Sequence, residues 1–337
     1  MFKKVIAVIL MLSMICSLAG CTSGRRENAE NDSKVAEEKT TIRIGAMSGP
    51  TAMGMVKLKK DSELGNTANN YEFQDFATEA SAFVTPLATG EVDIAAVPSN
   101  LAANIYNKTE GKVCVVAVGV LGVLNLVERG NTVKTINDLR GKTIYATGMG
   151  AVPEYTIRYI LSENSIDADK DVTIQWCSDT TEALSKLKSE DGAIAVLPQP
   201  FVTAASAQIK DLRVVCDLNE AWEEIDKTLD IVTGVIVVRK EFAEKYPKQL
   251  EQFIEEYRQS VEYTSKDVEG ASQLIAEYGV VASATVAQKA LPKCHIVCYT
   301  GLEMKNSLEG FLKVLYDQNP KSVGGKMPGE DFYYEYK

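Results

Sequence analysis

Histidine is nearly missing from this sequence: there is one among 337 residues, and tryptophan occurs twice. A histidine-based nucleophile relay or a histidine-rich metal centre therefore has one candidate, His295. No G-x-S-x-G elbow accompanies it, and Cys294, His295 and Cys298 lack the second ligand pair of a zinc module. No G-x-x-x-x-G-K-[ST] phosphate loop occurs, and Gly148, Gly150 and Pro153 stop one glycine short of a dinucleotide fingerprint. Basic residues are in deficit, 36 Lys and Arg against 46 Asp and Glu, so no nucleic-acid partner is expected. After residue 20 no run approaches about 18 consecutive apolar residues, so no later segment reads as a membrane-spanning helix.

What is present begins with a basic start at Lys3 and Lys4 and an apolar run over 5–15, too short to span a bilayer comfortably. Together with the small residues that follow, these are the parts of a secretory signal. Leu18, Ala19, Gly20 and Cys21 resemble the lipobox of bacterial lipoproteins, in which the cysteine is acylated and becomes the mature N-terminus. A free cysteine behind an ordinary cleaved signal is the plainer alternative. Residues 22–39 contain no aromatic and no large aliphatic residue except Val35, too little apolar surface to offset chain entropy. The expected layout is a signal peptide over 1–20, a disordered tether over 21–39, and a chain held outside the cytoplasm by lipid on Cys21. Loss of the signal leaves 34 basic residues against the same 46 acidic ones.

From residue 40 onward, short β-branched runs alternate with helical patterns, which predicts an α/β protein with two mixed, mostly parallel sheets. Strands are expected over 41–46, 71–76, 92–97, 113–118, 125–128, 142–146, 172–176, 193–197, 213–216 and 234–239. Helices are expected over 79–89 and 154–163, and a helical tail over 241–264, 270–278, 283–291 and 302–318. Beyond Cys16 and Cys21, five cysteines remain. Cys114, Cys177 and Cys216 lie in or beside apolar runs and read as small hydrophobes; Cys294 and Cys298 approach each other only if their segment turns.

A strand, a glycine-bearing loop and a helix occur twice at matched spacing. Residues 42–51 are followed about fifty residues later by Pro98, Ser99 and Asn100; residues 143–151 are followed at the same interval by Pro198, Gln199 and Pro200. Generic βαβ units give the same pattern by chance, but the spacing suggests two similar lobes: 40–124 with 232–337, and 125–231. Two crossings make a hinge, expected near 122–126 and 230–234, with glycines absorbing the dihedral change.

Loops at the carboxyl ends of the strands are the expected ligand site. The candidates are Ser48, Gly49, Thr51, Ser99, Asn100, Asn125, Thr147, Gly150, Gln199 and Trp222. The hydroxyls and amides also serve as helix caps, the glycines as turns and the aromatics as core. No Arg or Lys lies in the four loops, so an anionic group would be held by backbone amides and helix starts, and a neutral heterocycle also fits. Phe201, Trp222 and Tyr155 are the candidates to stack on a planar ligand. Ser99→Ala and Trp222→Ala are expected to weaken binding without unfolding the protein.

Five segments taken in order resemble a known family. They are 41–47 with its Gly-Pro-Thr loop, 89–95 (TGEVDIA), 136–144 (INDLRGKTI), 195–201 (AVLPQPF) and 234–242 (GVIVVRKEF). They look like the type II periplasmic binding proteins of the nitrate, sulfonate, taurine and thiamine-pyrimidine group, over about 40–315. The resemblance implies the two-lobed type II fold with a hinge. It also implies an extracytoplasmic substrate-binding lipoprotein of an ABC importer that closes on a small polar or planar ligand and delivers it to the permease. The implied partners are the ligand, the permease with its ATPase, and the membrane through Cys21; a monomer, no cofactor, no metal and no enzymatic activity are expected. The alternative is a membrane-anchored sensor or enzyme on the same scaffold. The superfamily includes thiamine-pyrimidine synthases, but the clustered cysteine motif associated with them is not found here.

Overall fold

Alternation of Ile42, Ile44 and Ala46 with more exposed neighbours makes β1 (Thr41–Ala46) a strand with one dry face. The computed structural model describes residues 39–336, so the expected signal, most of the expected tether and Cys21 lie outside the described residues. After β1 come β2 (Asn70–Phe73), β3 (Ile94–Pro98), β4 (Val113–Val120), β5 (Leu124–Arg129) and β6 (Thr143–Ala146). They are followed by β7 (Thr173–Trp176), β8 (Ile194–Pro198), β9 (Leu212–Asp217), β10 (Gly234–Arg239) and β11 (Ile296–Tyr299). One sheet has the order β11-β4-β10-β3-β1-β2 and the other β7-β6-β8-β5-β9. The helices are α1 (Pro50–Met53), α2 (Val56–Glu63), α3 (Val84–Thr89), α4 (Ser99–Lys108), α5 (Val152–Glu163), α6 (Thr180–Ser189) and α7 (Phe201–Gln208). Then come α8 (Leu218–Ile225), α9 (Lys240–Lys245), α10 (Pro247–Lys266), α11 (Val268–Glu277), α12 (Ala284–Ala290) and α13 (Gly301–Gln318).

The chain passes from the first sheet to the second over 121–123 and returns over 226–233. Each passage reverses direction: β10 runs antiparallel to both β3 and β4, and β5 runs antiparallel to both β8 and β9. Among the described strands, parallel pairs are β1 with β2 and β3 and β6 with β7 and β8, a smaller share than the α/β pattern suggests. The tail also departs from expectation. Pro247 lacks an N–H and drives Tyr246 out of the helical region (φ -130, ψ 53), splitting the expected helix 241–264 into α9 and α10. Residues 296–299 form an edge strand on β4 instead of lying between helices.

The sheets have separate strands but not separate cores. One apolar cluster includes Val115, Val118 and Val235 of the first sheet with Leu126, Ile144 and Val196 of the second. Helix α13 makes the connection: Phe311 meets Trp222 of α8 with ring centroids 5.7 Å apart, and Gln318 donates to the Tyr155 carbonyl of α5 at 3.1 Å. Cys294 and Cys298 are free thiols, and burial pushes the Cys294 thiol up to about 12.

Two buried carboxylates brace the sheets. Asp93, 1% exposed, receives Arg43 Nε at 2.8 Å and Arg239 Nη2 at 3.0 Å, tying β1 and β10 to the start of β3. Glu128, 0% exposed, receives the Thr132 amide at 2.7 Å, the Thr132 hydroxyl at 2.6 Å and Arg213 Nη2 at 2.5 Å from the facing residue of β9. Burial pushes the Glu128 carboxyl up, but these donors outweigh it and hold it down at about 2, from an ordinary 4.5. A depressed folded value means that the stabilisation is complete above about pH 4.5 and disappears as pH falls toward 2. Glu128→Gln should cost about 2 kcal/mol at pH 7, less than loss of a partner from a fully buried pair. The gap in melting temperature between wild type and variant should narrow between pH 4.5 and pH 2; a pH-independent gap would refute the assignment.

Candidate ligand-binding site

Val120 and Gly234 are register partners, so the outward passage starts beside the point where the return passage ends. The Thr233 amide donates to the Val120 carbonyl at 2.9 Å, and the Ser99 amide donates to the Thr233 carbonyl at 3.1 Å, which docks the start of α4 on the return passage. The Gln199 amide donates to the Val123 carbonyl at 2.9 Å, docking the loop after β8 on the outward passage. The loop after β1 joins the same point, because a Cβ on Gly234 would stand 2.6 Å from Cγ2 of Thr51. Gly122 has the same role on the outward passage, where a Cβ would stand 2.5 Å from Asn219 Oδ1. Both glycines are therefore needed for space, and neither takes a left-handed φ.

A contact between the two sheets' loops runs through Asn100. Its Nδ2 lies 3.4 Å from the Gly150 carbonyl, joining the start of α4 to the loop after β6. Asn100 is 6% exposed, and its Oδ1 is buried without a hydrogen-bond partner. The hydroxyl of Thr233, whose carbonyl receives the Ser99 amide, is likewise buried and unpartnered. Buried polar atoms without a partner forfeit their hydration, and the bond from the Ser99 amide to the Thr233 carbonyl brings these two residues to the same corner.

Ser48, Gly49, Thr51, Ser99 and Asn100 thus gather at the crossing, with Gly150 reaching them from the second sheet, but several have their polar groups already engaged. Thr51 donates its hydroxyl to the Met47 carbonyl at 2.5 Å, and the Ser48 amide donates to Ala77. The Ser99 hydroxyl, fully buried, donates to the Val232 carbonyl, which corrects its expected role as a ligand group. Asn125 donates its amide to Val123 at 3.3 Å, and Oε1 of Gln199 accepts from Thr203 at 2.8 Å. Thr147 is half-buried on the loop that carries Gly150. The Gly150 amide donates to Glu154 Oε2 at 2.7 Å, so a carboxylate already fills the position at the start of α5 where an anion was expected.

Trp222 is a further correction. It is 0% exposed, between Tyr159 at 4.3 Å and Phe311 at 5.7 Å, and has no face to offer a ligand. Tyr155 is also buried and bonded to Asn319, whereas Phe201 is 40% exposed. His295 braces the outward passage, its ring Nδ1 against the Gly122 carbonyl and its own carbonyl receiving the Leu121 amide at 3.1 Å. Thr233 and Glu154 were missed in the sequence reading. Thr233 lies within the expected second hinge, and Glu154 stands three residues after Ala151, the N-cap of α5, an ordinary capping position. A cavity of about 700 Å³ borders Glu154 together with Arg158, Asp169 and Gln318. Its charged groups are spent on one another, Arg158 pairing with Glu154 at 2.8 Å and with Asp169 at 3.0 Å.

Residues 51–299 match a family model described as menaquinone biosynthesis. No curated protein matches the sequence. Among solved structures, an ABC transporter protein from Parabacteroides distasonis is 24% identical with a TM-score of 0.74, over 89% of this chain and 100% of that one. The periplasmic aliphatic sulphonate binding protein SsuA of Escherichia coli is 15% identical with a TM-score of 0.71, over 89% and 94%. The alkanesulfonate-binding SsuA of Xanthomonas axonopodis, bound to MOPS, is 14% identical with a TM-score of 0.64, over 83% and 94%. These likenesses establish the fold, that of type II periplasmic binding proteins. The family match overturns the expectation that the chain is not an enzyme, because the family is described by a biosynthetic process.

The engaged groups set the expected effects of substitution. Trp222→Ala should cost roughly 3–5 kcal/mol of stability by leaving a core cavity, and Ser99→Ala about 1 kcal/mol from a lost buried hydrogen bond. Denaturant unfolding checks both; an unchanged midpoint for Trp222→Ala would return that side chain to the site.

Proposed function

Because the chain belongs to the menaquinone-biosynthesis family, matched over 51–299, and shares the fold of ABC-transporter binding proteins, we propose that it receives one small polar or planar ligand between the loops of its two sheets. The observation that carries this reading is Asn100, whose buried, unpartnered Oδ1 stands where loops from both sheets meet. The proposed lobes are 40–124 with 232–337 and 125–231, a division supported by the strand order: apart from Leu124, the first residue of β5, each sheet's strands lie within one of these sets. In this proposal the protein is an extracytoplasmic lipoprotein, anchored through Cys21, that closes on its ligand and delivers it as a monomer to an ABC permease and its ATPase. The signal-like start, the lipobox-like Leu18 to Cys21 and the transporter descriptions of the structural relatives support it.

The Glu154 carboxylate and the lack of Arg or Lys in the four loops favour a neutral ligand over the sulfonates for which the two SsuA relatives are named. The family match favours a second reading, in which the bound molecule is also transformed. Incubation with a bound ligand separates the two: recovery of unchanged ligand at one per chain supports delivery, and a new product supports reaction.

A ligand at a hundred times its Kd should add about 2.7 kcal/mol of stability, readable as a thermal shift in a screen of pyrimidines, small aromatics, sulfonates and nitrate. Asn100→Ala should abolish most of the shift; a shift that survives would move the site elsewhere. Cys21→Ala should release the protein from the membrane fraction, and retention there would remove the lipid anchor from the proposal.

A further inference from the structure

Two large apolar side chains are exposed after strands of the second sheet, one on a loop and one at a helix start. Met149 is 70% exposed between Gly148 (φ 80) and Gly150 (φ 77), on the loop after β6. Phe201 is 40% exposed at the start of α7, directly after the buried Gln199 and Pro200. Both adjoin segments that are tied to the crossing, Gly150 through Asn100 and Gln199 through the Val123 carbonyl, so two exposed apolar side chains flank the candidate site. The first sheet supplies the opposite chemistry, the unpartnered Asn100 Oδ1 and Thr233 Oγ1. The contact of Asn100 with the Gly150 carbonyl brings the residue next to Met149 against that polar corner.

We propose that the ligand is amphipathic. A neutral, hydrogen-bond-donating head, such as an amide or hydroxyl, donates to Asn100 Oδ1 and exchanges a hydrogen bond with Thr233 Oγ1; an apolar or aromatic body lies on Met149 and Phe201. The head is neutral because Glu154 already occupies the Gly150 amide, leaving the second sheet's loop without a cradle for an anion. The unbranched thioether of Met149 adapts to bodies of different shape and packs favourably against ring edges, which suits a ligand held by one fixed polar end. This inference rests on the reading of the inter-sheet loops as the binding site.

Calorimetric titration of the full chain with acetamide, benzamide and 4-butylbenzamide tests it. Affinity should rise about tenfold or more from acetamide to benzamide and again to 4-butylbenzamide, as apolar area is buried. The double variant Met149→Ser, Phe201→Ser should lose that gain while remaining folded, with Met149→Ser alone leaving the melting temperature unchanged because that side chain is 70% exposed in the free protein. Asn100→Ala should weaken all the amides that bind. If the double variant binds both benzamides as tightly as wild type while Asn100→Ala weakens them, this inference falls and the site stands. If Asn100→Ala changes nothing, the reading of the site falls too; if no amide binds to wild type, the donor-headed, apolar ligand is excluded.

Discussion

The structure depends on one antiparallel pair, β4 with β10, whose registered ends Val120 and Gly234 set both passages between the sheets side by side. A sheet cannot hand its chain to a second sheet and recover it without two uncovered backbone stretches, and buried backbone must find partners. Here the partners are the loops of the site. Thr233 bonds Val120, Ser99 bonds Thr233, and Gln199 bonds Val123. The hydrogen bonds that satisfy the crossing also assemble the candidate site, so its geometry cannot be separated from the fold.

That coupling explains why the polar groups there divide into two kinds. Hydroxyls and amides such as Ser99, Thr51 and Asn125 are engaged with nearby carbonyls and hold the loops in position. Asn100 Oδ1 and Thr233 Oγ1 are left over, and only leftover groups have free energy to gain from a ligand. The carboxylates that brace the sheets, Asp93 and Glu128, are satisfied by arginines away from this corner and serve the scaffold.

Helix α13 adds a constraint of its own. It packs on β4 and α4, yet Phe311 reaches Trp222 and Gln318 reaches Tyr155 on the other sheet's helices. Any movement that opened the loops further would have to slide or part this contact. Burial of Trp222 and Tyr155 there removes both from the ligand and assigns them to the joint between the halves.

Much of the fold was legible from residue order. Short apolar, β-branched runs such as 41–46 and 234–239 are strands over the expected residues, because β-branched side chains on a buried sheet leave little alternative. The weak strand at 296–299 and the break at Pro247 escaped, the first because it is stabilised only by pairing with β4, the second because a long amphipathic pattern runs through the proline. Glycines at 122 and 234 could be seen from the sequence, but their purpose could not: the side chains that need the space, Asn219 and Thr51, are distant in the chain. The sequence by itself determined which segments become strands and which loops gather small and polar residues, since local periodicity and turn chemistry are written in neighbouring positions. Only the tertiary structure decided which of those polar atoms are consumed and which remain free, because a hydrogen-bond partner is chosen by proximity in space.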